Sequence, residues 1–339
     1  MAGQISRQSI LFLYTYMPNS DTNNLPKPVP GNLYIYIPNK GAPIFFTIAF
    51  AISAAGHIWQ CLMNGLHPLC GVLLTAGYAM RAYNAHGHYM YNTPNLLVYI
   101  LSQVFIYICP PLLELANYHI LARILHYIPH LAPLRASSIL PLFGGLMALV
   151  EALNALGVSF AANPTGARQD LGRALVLAAL ALQLCVVVVF VSVAGVFHWR
   201  CADAAISRRS VPTLLATLYI SMALILVRCV YRLVEHVGGT AVDIDDPESL
   251  RGLSPLLTEE WFFYVFEGGI MLCNSGLWNV VNPGRLLPRQ RGLRLDVDGV
   301  TEIEDEDIGS DTPMVVRGVY AVVDVLSFGL FRFVRRGKR

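Results

Sequence analysis

Residues 171–197 read LGRALVLAALALQLCVVVVFVSVAGVF. Arg173, near the start, is the one charge in this stretch, and the centre from Cys185 to Val191 is CVVVVFV. A helix needs about 20 mostly apolar residues to cross a hydrocarbon core roughly 30 Å thick. Only a segment that satisfies its own backbone hydrogen bonds is stable there. The run is therefore read as a transmembrane helix. Working outward, six further stretches have the same character, and the seven spans are placed at 42–63, 66–82, 95–121, 138–160, 171–197, 211–232 and 261–281. The second is the shortest. Short connections rich in polar, Gly and Pro residues separate them, as in Asn92-Thr93-Pro94 and Asp245-Asp246-Pro247. Sequential spans joined this way pack as antiparallel neighbours.

The composition agrees. Of 339 residues 55% are hydrophobic and 14% charged, with mean hydropathy +0.52. Soluble domains carry roughly 25% charge, so lipid is the solvent that accommodates this much apolar surface. The fold class is all-α, a polytopic membrane bundle. The seven cysteines are scattered and form no C-x-x-C pair, so they are read as small apolar residues. A net charge of +2, without a basic run interleaved with aromatics, argues against a nucleic-acid partner. The positive-inside rule favours an N-terminus outside and a C-terminal tail in the cytosol. The organisation is then an extracellular segment 1–41, a membrane domain 42–284 and a cytosolic tail 285–339. Within the tail, 296–311 is acidic and expected to be disordered. Residues 314–334 are apolar and run into Arg335-Arg336-Gly337-Lys338-Arg339, as an interfacial helix with a basic end would.

Ionisable groups inside the spans cost at least about 2.5–3.5 kcal/mol each on insertion scales and mark functional positions. Those singled out away from the span ends are Glu114, Glu151, Arg228, Arg232 and Glu267, and Glu235 closes the sixth span. Arg228, Arg232 and Glu235 follow i, i+4, i+7 and share one helical face. From the helical rise, Arg228 and Glu267 both lie about 10 Å inside the outer boundary, which predicts that they pair. The set reads as a polar track for a headgroup. Gln60, Gln103, Asn154, Gln183 and Asn279 are milder polar residues suited to joining helices. No P-loop, H-E-x-x-H, G-x-S-x-G or G-x-G-x-x-G is present, so no catalytic residues, cofactor or metal site are assigned. His86-Gly87-His88 has no third ligand near it in sequence.

Several ordered patches resemble the fungal lipid-translocating exporter family, the RTA-like seven-span proteins, over residues 33–284. They include Tyr34-Ile35-Tyr36-Ile37-Pro38 followed by His57 and Gln60, then Gly77-Tyr78-Ala79-Met80-Arg81. Gln103, Pro110, Tyr118 and Arg123 come next, then Gln183, then Arg228, Tyr231-Arg232 and Glu235. The last patch is Glu260-Trp261-Phe262-Phe263-Tyr264 with Glu267, and Asn282-Pro283-Gly284 closes the series. Departures from the family pattern include Leu74 and Met147, where acids are common, with Glu151 one turn beyond the latter. The resemblance implies translocation of, and resistance to, amphiphiles such as sphingoid long-chain bases, sterol-like amines or phospholipids. It implies the plasma membrane, with vacuolar or endoplasmic reticulum membranes as alternatives. Membrane lipids or amphiphilic small molecules are the expected partners, and the sequence does not specify the oligomeric state. The alternative function is a seven-span receptor or sensor signalling through its tail.

Overall fold

The computed structural model describes residues 33–34, 37–60, 66–90, 92–161, 168–204, 208, 210–237, 256, 259–288, 293–296 and 301–304. Most of segment 1–41 and the basic helix expected at 314–334 lie outside the described residues. Seven long helices follow one another: α1 Gly41–Gln60, α2 Leu66–Ala85, α3 Thr93–Tyr127, α4 Ala136–Ala161, α5 Gln169–Asp203, α6 Ser210–Val237, and α7. Helix α7 is composite, with α-helical Glu260–Phe263 and Ile270–Val280 joined by a π-helical stretch, Tyr264–Gly269. A short α8, Pro283–Leu286, and a hairpin of β1 Leu293–Leu295 with β2 Glu302–Glu304 complete the order. The chain is an all-α, multi-pass membrane protein.

Five helices are long and apolar enough to cross a membrane by length and composition: α1, α3, α4, α5 and α6. The other two fall short for identifiable reasons. Helix α2 carries His67, Pro68, Arg81 and Asn84, and the π stretch interrupts the regular helix of α7. Several helices outrun the apolar segments that announced them. At 35 residues each, α3 and α5 are about 52 Å long, well beyond a hydrocarbon core of about 30 Å. The acidic stretch 296–311, expected to be disordered, contains a strand: Glu302–Glu304 pairs antiparallel with Leu293–Leu295, and Leu295 is buried.

The chain divides into two compact units. The first comprises α1, α2, α3 up to Pro110, the end of α6 from Val230, and α7 as far as Gly276. Its core is a ladder of rings. Phe46 lies parallel to Tyr264, with centroids 5.6 Å apart, and Tyr78 stacks on both Phe46 and Phe50. Small residues allow the close approaches that membrane helices rely on. A Cβ on Gly77 would lie 2.8 Å from Ile106 Cγ1, and one on Gly71 would lie 2.8 Å from Ala54 Cβ.

The second unit comprises α3 from Pro111, α4, α5, α6 up to Cys229, and the chain from Leu277 onward. Helices α4 and α5 meet at facing glycines. A Cβ on Gly157 would be 2.8 Å from the Gly172 carbonyl oxygen, and one on Gly172 would be 2.7 Å from that of Gly157. Tyr118, Phe143 and Phe190 form a buried aromatic triad. Asn117 Nδ2 and Trp278 Nε1 both donate to Ser221 Oγ, at 2.8 and 3.1 Å.

Candidate functional site

Each unit contains a buried charged cluster. In the first, Arg232 on α6 is the hub. Its Nη1 lies 2.7 Å from Glu235 Oε2, one turn on, and its Nε lies 3.6 Å from Glu267 Oε1 on α7. The guanidinium sits 4.5 Å from the Tyr107 ring centre, and Nη1 also reaches the Tyr107 hydroxyl at 3.5 Å. Glu267 is fully buried and stands in the π-helical stretch. Extra residues of this kind inside helices are frequent at functional sites. The stretch also sets the neighbouring Gly268 so close to the ring ladder that a Cβ would lie 2.8 Å from Phe46 Cε1 and 2.9 Å from Tyr78 Oη.

A second charged group in the same unit ties α2 to the start of α7. Arg81, 1% exposed, donates to Glu260 Oε1 at 2.8 Å and to Tyr264 Oη at 3.1 Å, and packs 4.1 Å over the Phe263 ring. Glu260 Oε2 accepts from the Asn39 backbone at 2.6 Å, which binds the N-terminal approach to the same point. Tyr34 packs edge-on to Tyr99 and accepts from Asn84; burial raises its phenol above the ordinary tyrosine range. A third contact joins α1 to α7: Ser53 Oγ and His57 Nε2 lie 2.7 and 3.2 Å from Ser275 Oγ.

In the second unit the acid is held differently. Glu114 on α3 is 1% exposed. It accepts from the Tyr118 hydroxyl one turn away and from Gln183 Nε2 on α5 at 3.0 Å. Both donors are neutral. Arg228 is buried and acts electrostatically on Glu114 and on half-buried Glu151 of α4. Glu114, Glu151, Arg228 and Gln183 thus belong to one unit, and Arg232, Glu235 and Glu267 to the other. Within its own unit Glu267 lies beside Arg232, one turn beyond Arg228 on the same face of α6.

The other positions singled out by the sequence have mostly structural settings. Pro38, Gly77, Tyr78, Pro110 and Tyr264 are buried; Gln60 and Gln103 are half-buried. Arg123 donates to the Pro288 carbonyl at 3.2 Å. Trp261 is exposed, stacked on Phe262, with its indole N–H on Glu259. Pro283 opens α8, where Asn282 caps Gly284 N at 2.8 Å. His86 and His88 each approach a backbone carbonyl. Tyr107, Ser53, Asn117 and Ser221 were missed in the sequence. Asn117 and Ser221 were legible in principle as polar residues within apolar runs; Tyr107 carried no such signal.

These features define a polytopic membrane protein whose polar chemistry is internal to its helix bundle. The chain belongs to the family described as RTA1 like protein, whose model matches residues 68–290. It is similar to a "Lipid-translocating exporter-like protein RTA1" of Leptosphaeria maculans, 48% identical over 89% of this chain and 60% of that protein, so the chain spans about three-fifths of that relative's length. It is 23% identical to a "Probable lipid transporter atnI" of Emericella nidulans, over 80% of this chain and 72% of the relative. A further relative, "Lipid-translocating exporter-like protein RTA1" of Ajellomyces capsulatus, is 25% identical over 66% of this chain and 73% of its own length. No solved structure matches.

Proposed function

We propose that this protein translocates amphiphiles with a cationic headgroup, such as long-chain amines, across the membrane. One observation carries the reading: each unit holds carboxylates inside the helix bundle, where charge is costly. Glu235 and Glu267 lie beside Arg232, and Glu114 lies between Tyr118 and Gln183. A protonated amine would find counter-charges in these carboxylates. A lipid crosses a bilayer slowly because its polar head meets hydrocarbon, where each unsatisfied group costs several kcal/mol. Polar positions inside the bundle lower that barrier while the tail stays in lipid. The names of the relatives support lipid transport as the general role.

With no nucleotide-binding motif in the sequence, net movement draws on a gradient, an accessory ATPase or proton coupling. Glu114, held by neutral donors, is the carboxyl suited to taking up and releasing a proton. The N-terminus is placed outside and the tail in the cytosol. The plasma membrane is the proposed location, and resistance to toxic amphiphiles is the proposed consequence.

The test is reconstitution of the full-length protein in liposomes with fluorescent amphiphiles of one tail and cationic, zwitterionic or anionic heads. Faster transbilayer movement of the cationic probe is expected. Binding of the probe without any acceleration would overturn translocation in favour of a sensor.

A further inference from the structure

Outside the charged clusters, the second unit contains a clasp built by the hairpin that follows α8. In β1 and β2 alternate residues face opposite ways. Leu295 is 2% exposed and Ile303 48% exposed. The face carrying Leu295 therefore turns toward the protein and the face carrying Ile303 toward solvent, with Leu293 and Arg294 half-buried and Glu302 exposed at the edge. Glu302 Oε1 accepts from the Tyr127 hydroxyl at 2.8 Å and pairs with Arg208 Nη2 at 3.0 Å. Tyr127 ends α3, and Arg208 lies in the link between α5 and α6. A single carboxylate oxygen thus ties the segment after α7 to two other connections of the bundle, and the Arg123–Pro288 hydrogen bond reinforces the tie.

The register, with Leu295 opposite Glu302, continues to Asp296 opposite Thr301, where Asp296 N donates to Thr301 O at 2.9 Å. Thr301 is exposed, and alternation puts it on the solvent face. In sequence it is followed by Glu302, Glu304, Asp305, Glu306 and Asp307, the kind of downstream acidic run that acid-directed serine/threonine kinases read. We propose that Thr301 is a phosphorylation site for such a kinase and that its phosphate releases the clasp. The Thr301 Oγ1 attacks the γ-phosphorus of ATP. The new O–P bond forms as the bond to the ADP oxygen breaks, and the hydroxyl proton passes to the kinase's catalytic carboxylate.

The phosphate brings about −1.5 to −2 charges and stands directly across from the Asp296 carboxylate. Like charges in that position destabilise a strand pair. Arg294, diagonal to it, is the one base in the two strands, against Asp296, Glu302 and Glu304. An isolated two-stranded hairpin is marginal in water, so this repulsion is enough to detach Glu302 from Arg208 and Tyr127. In the cell the event rests on the cytosolic placement of the tail in the proposed function; the test below does not.

Full-length protein in detergent micelles is incubated with a purified acid-directed kinase and ATP. Phosphate is mapped by mass spectrometry, and backbone hydrogen exchange is followed across residues 293–304. Phosphate is expected on Thr301, with exchange of the Asp296 amide faster by about threefold or more. Thr301→Val should abolish both effects. Glu302→Gln should speed exchange without any phosphate. Phosphate confined to Ser310 or Thr312, or a phosphorylated Thr301 with unchanged exchange at Asp296, would overturn the proposal. Failure of the transport reading would show only in the liposome assay.

Discussion

Glu267 in the first unit and Glu114 in the second are the same residue type at the same near-zero exposure, yet their company differs. Glu267 lies beside a guanidinium, with Arg232 Nε 3.6 Å away, inside a π-helical stretch. Glu114 rests in a regular helix between a phenol and an amide. Removing one partner of a buried ion pair leaves an uncompensated charge. A carboxyl held by neutral donors tolerates either protonation state more readily. On the proposed function, the first unit is the charge-paired frame and the second the site where a proton is exchanged.

That contrast can be broken most violently at Arg81. Arg81→Ala strips Glu260 of its partner and empties the cage of rings, and should cost about 3–5 kcal/mol, read as a large drop in thermal unfolding temperature in detergent. If the protein melts normally, the first unit is not held by its ion pairs. The next effect separates close packing from open surface. Gly268→Ala should cost about 1–3 kcal/mol, because its Cβ would strike Phe46 and Tyr78. Gly145→Ala, with nothing within 4 Å in the second unit, should leave the melt unchanged. The smallest effect belongs to the neutral glue of the second unit. Asn117→Ala removes a donor to Ser221 and should cost only about 0.6–1.7 kcal/mol, the range measured for hydrogen bonds between membrane helices. A loss as large as that of Arg81→Ala would erase the distinction between the units.

The architecture was largely legible because hydropathy reports directly on solvation: each of the seven long helices overlaps a predicted span, and five of them are long and apolar enough to cross a membrane. Their ends were not, because a helix continues past the hydrocarbon wherever its residues permit. Thus α6 runs on through Glu235 to Val237. The π stretch was not announced by any pattern in Tyr264–Gly269, whose Gly268 packs closely against Phe46 and Tyr78. The charged residues were legible as a set, since each is costly in lipid, but the Arg232–Glu267 approach was not. Depth counting pointed to Arg228 for Glu267 and did not show that Arg232, one turn away, lies 3.6 Å from the same carboxylate. The hairpin was hidden by its acidity; Glu302 is ordered by Tyr127 and Arg208, both distant in sequence.

The central claim is that Glu267 serves as fixed counter-charge while Glu114 exchanges a proton. It is tested most directly by the transbilayer rate of a fluorescent long-chain amine in liposomes, followed from neutral to mildly acidic pH, for the parent protein, Glu267→Gln and Glu114→Gln. Glu267→Gln should slow translocation by about tenfold or more at every pH, a rise of roughly 1.4 kcal/mol in the barrier. Glu114→Gln should keep a substantial rate and lose its dependence on pH. If the two variants gave the same profile, or if both followed the parent protein, the division of labour between the carboxylates would be contradicted.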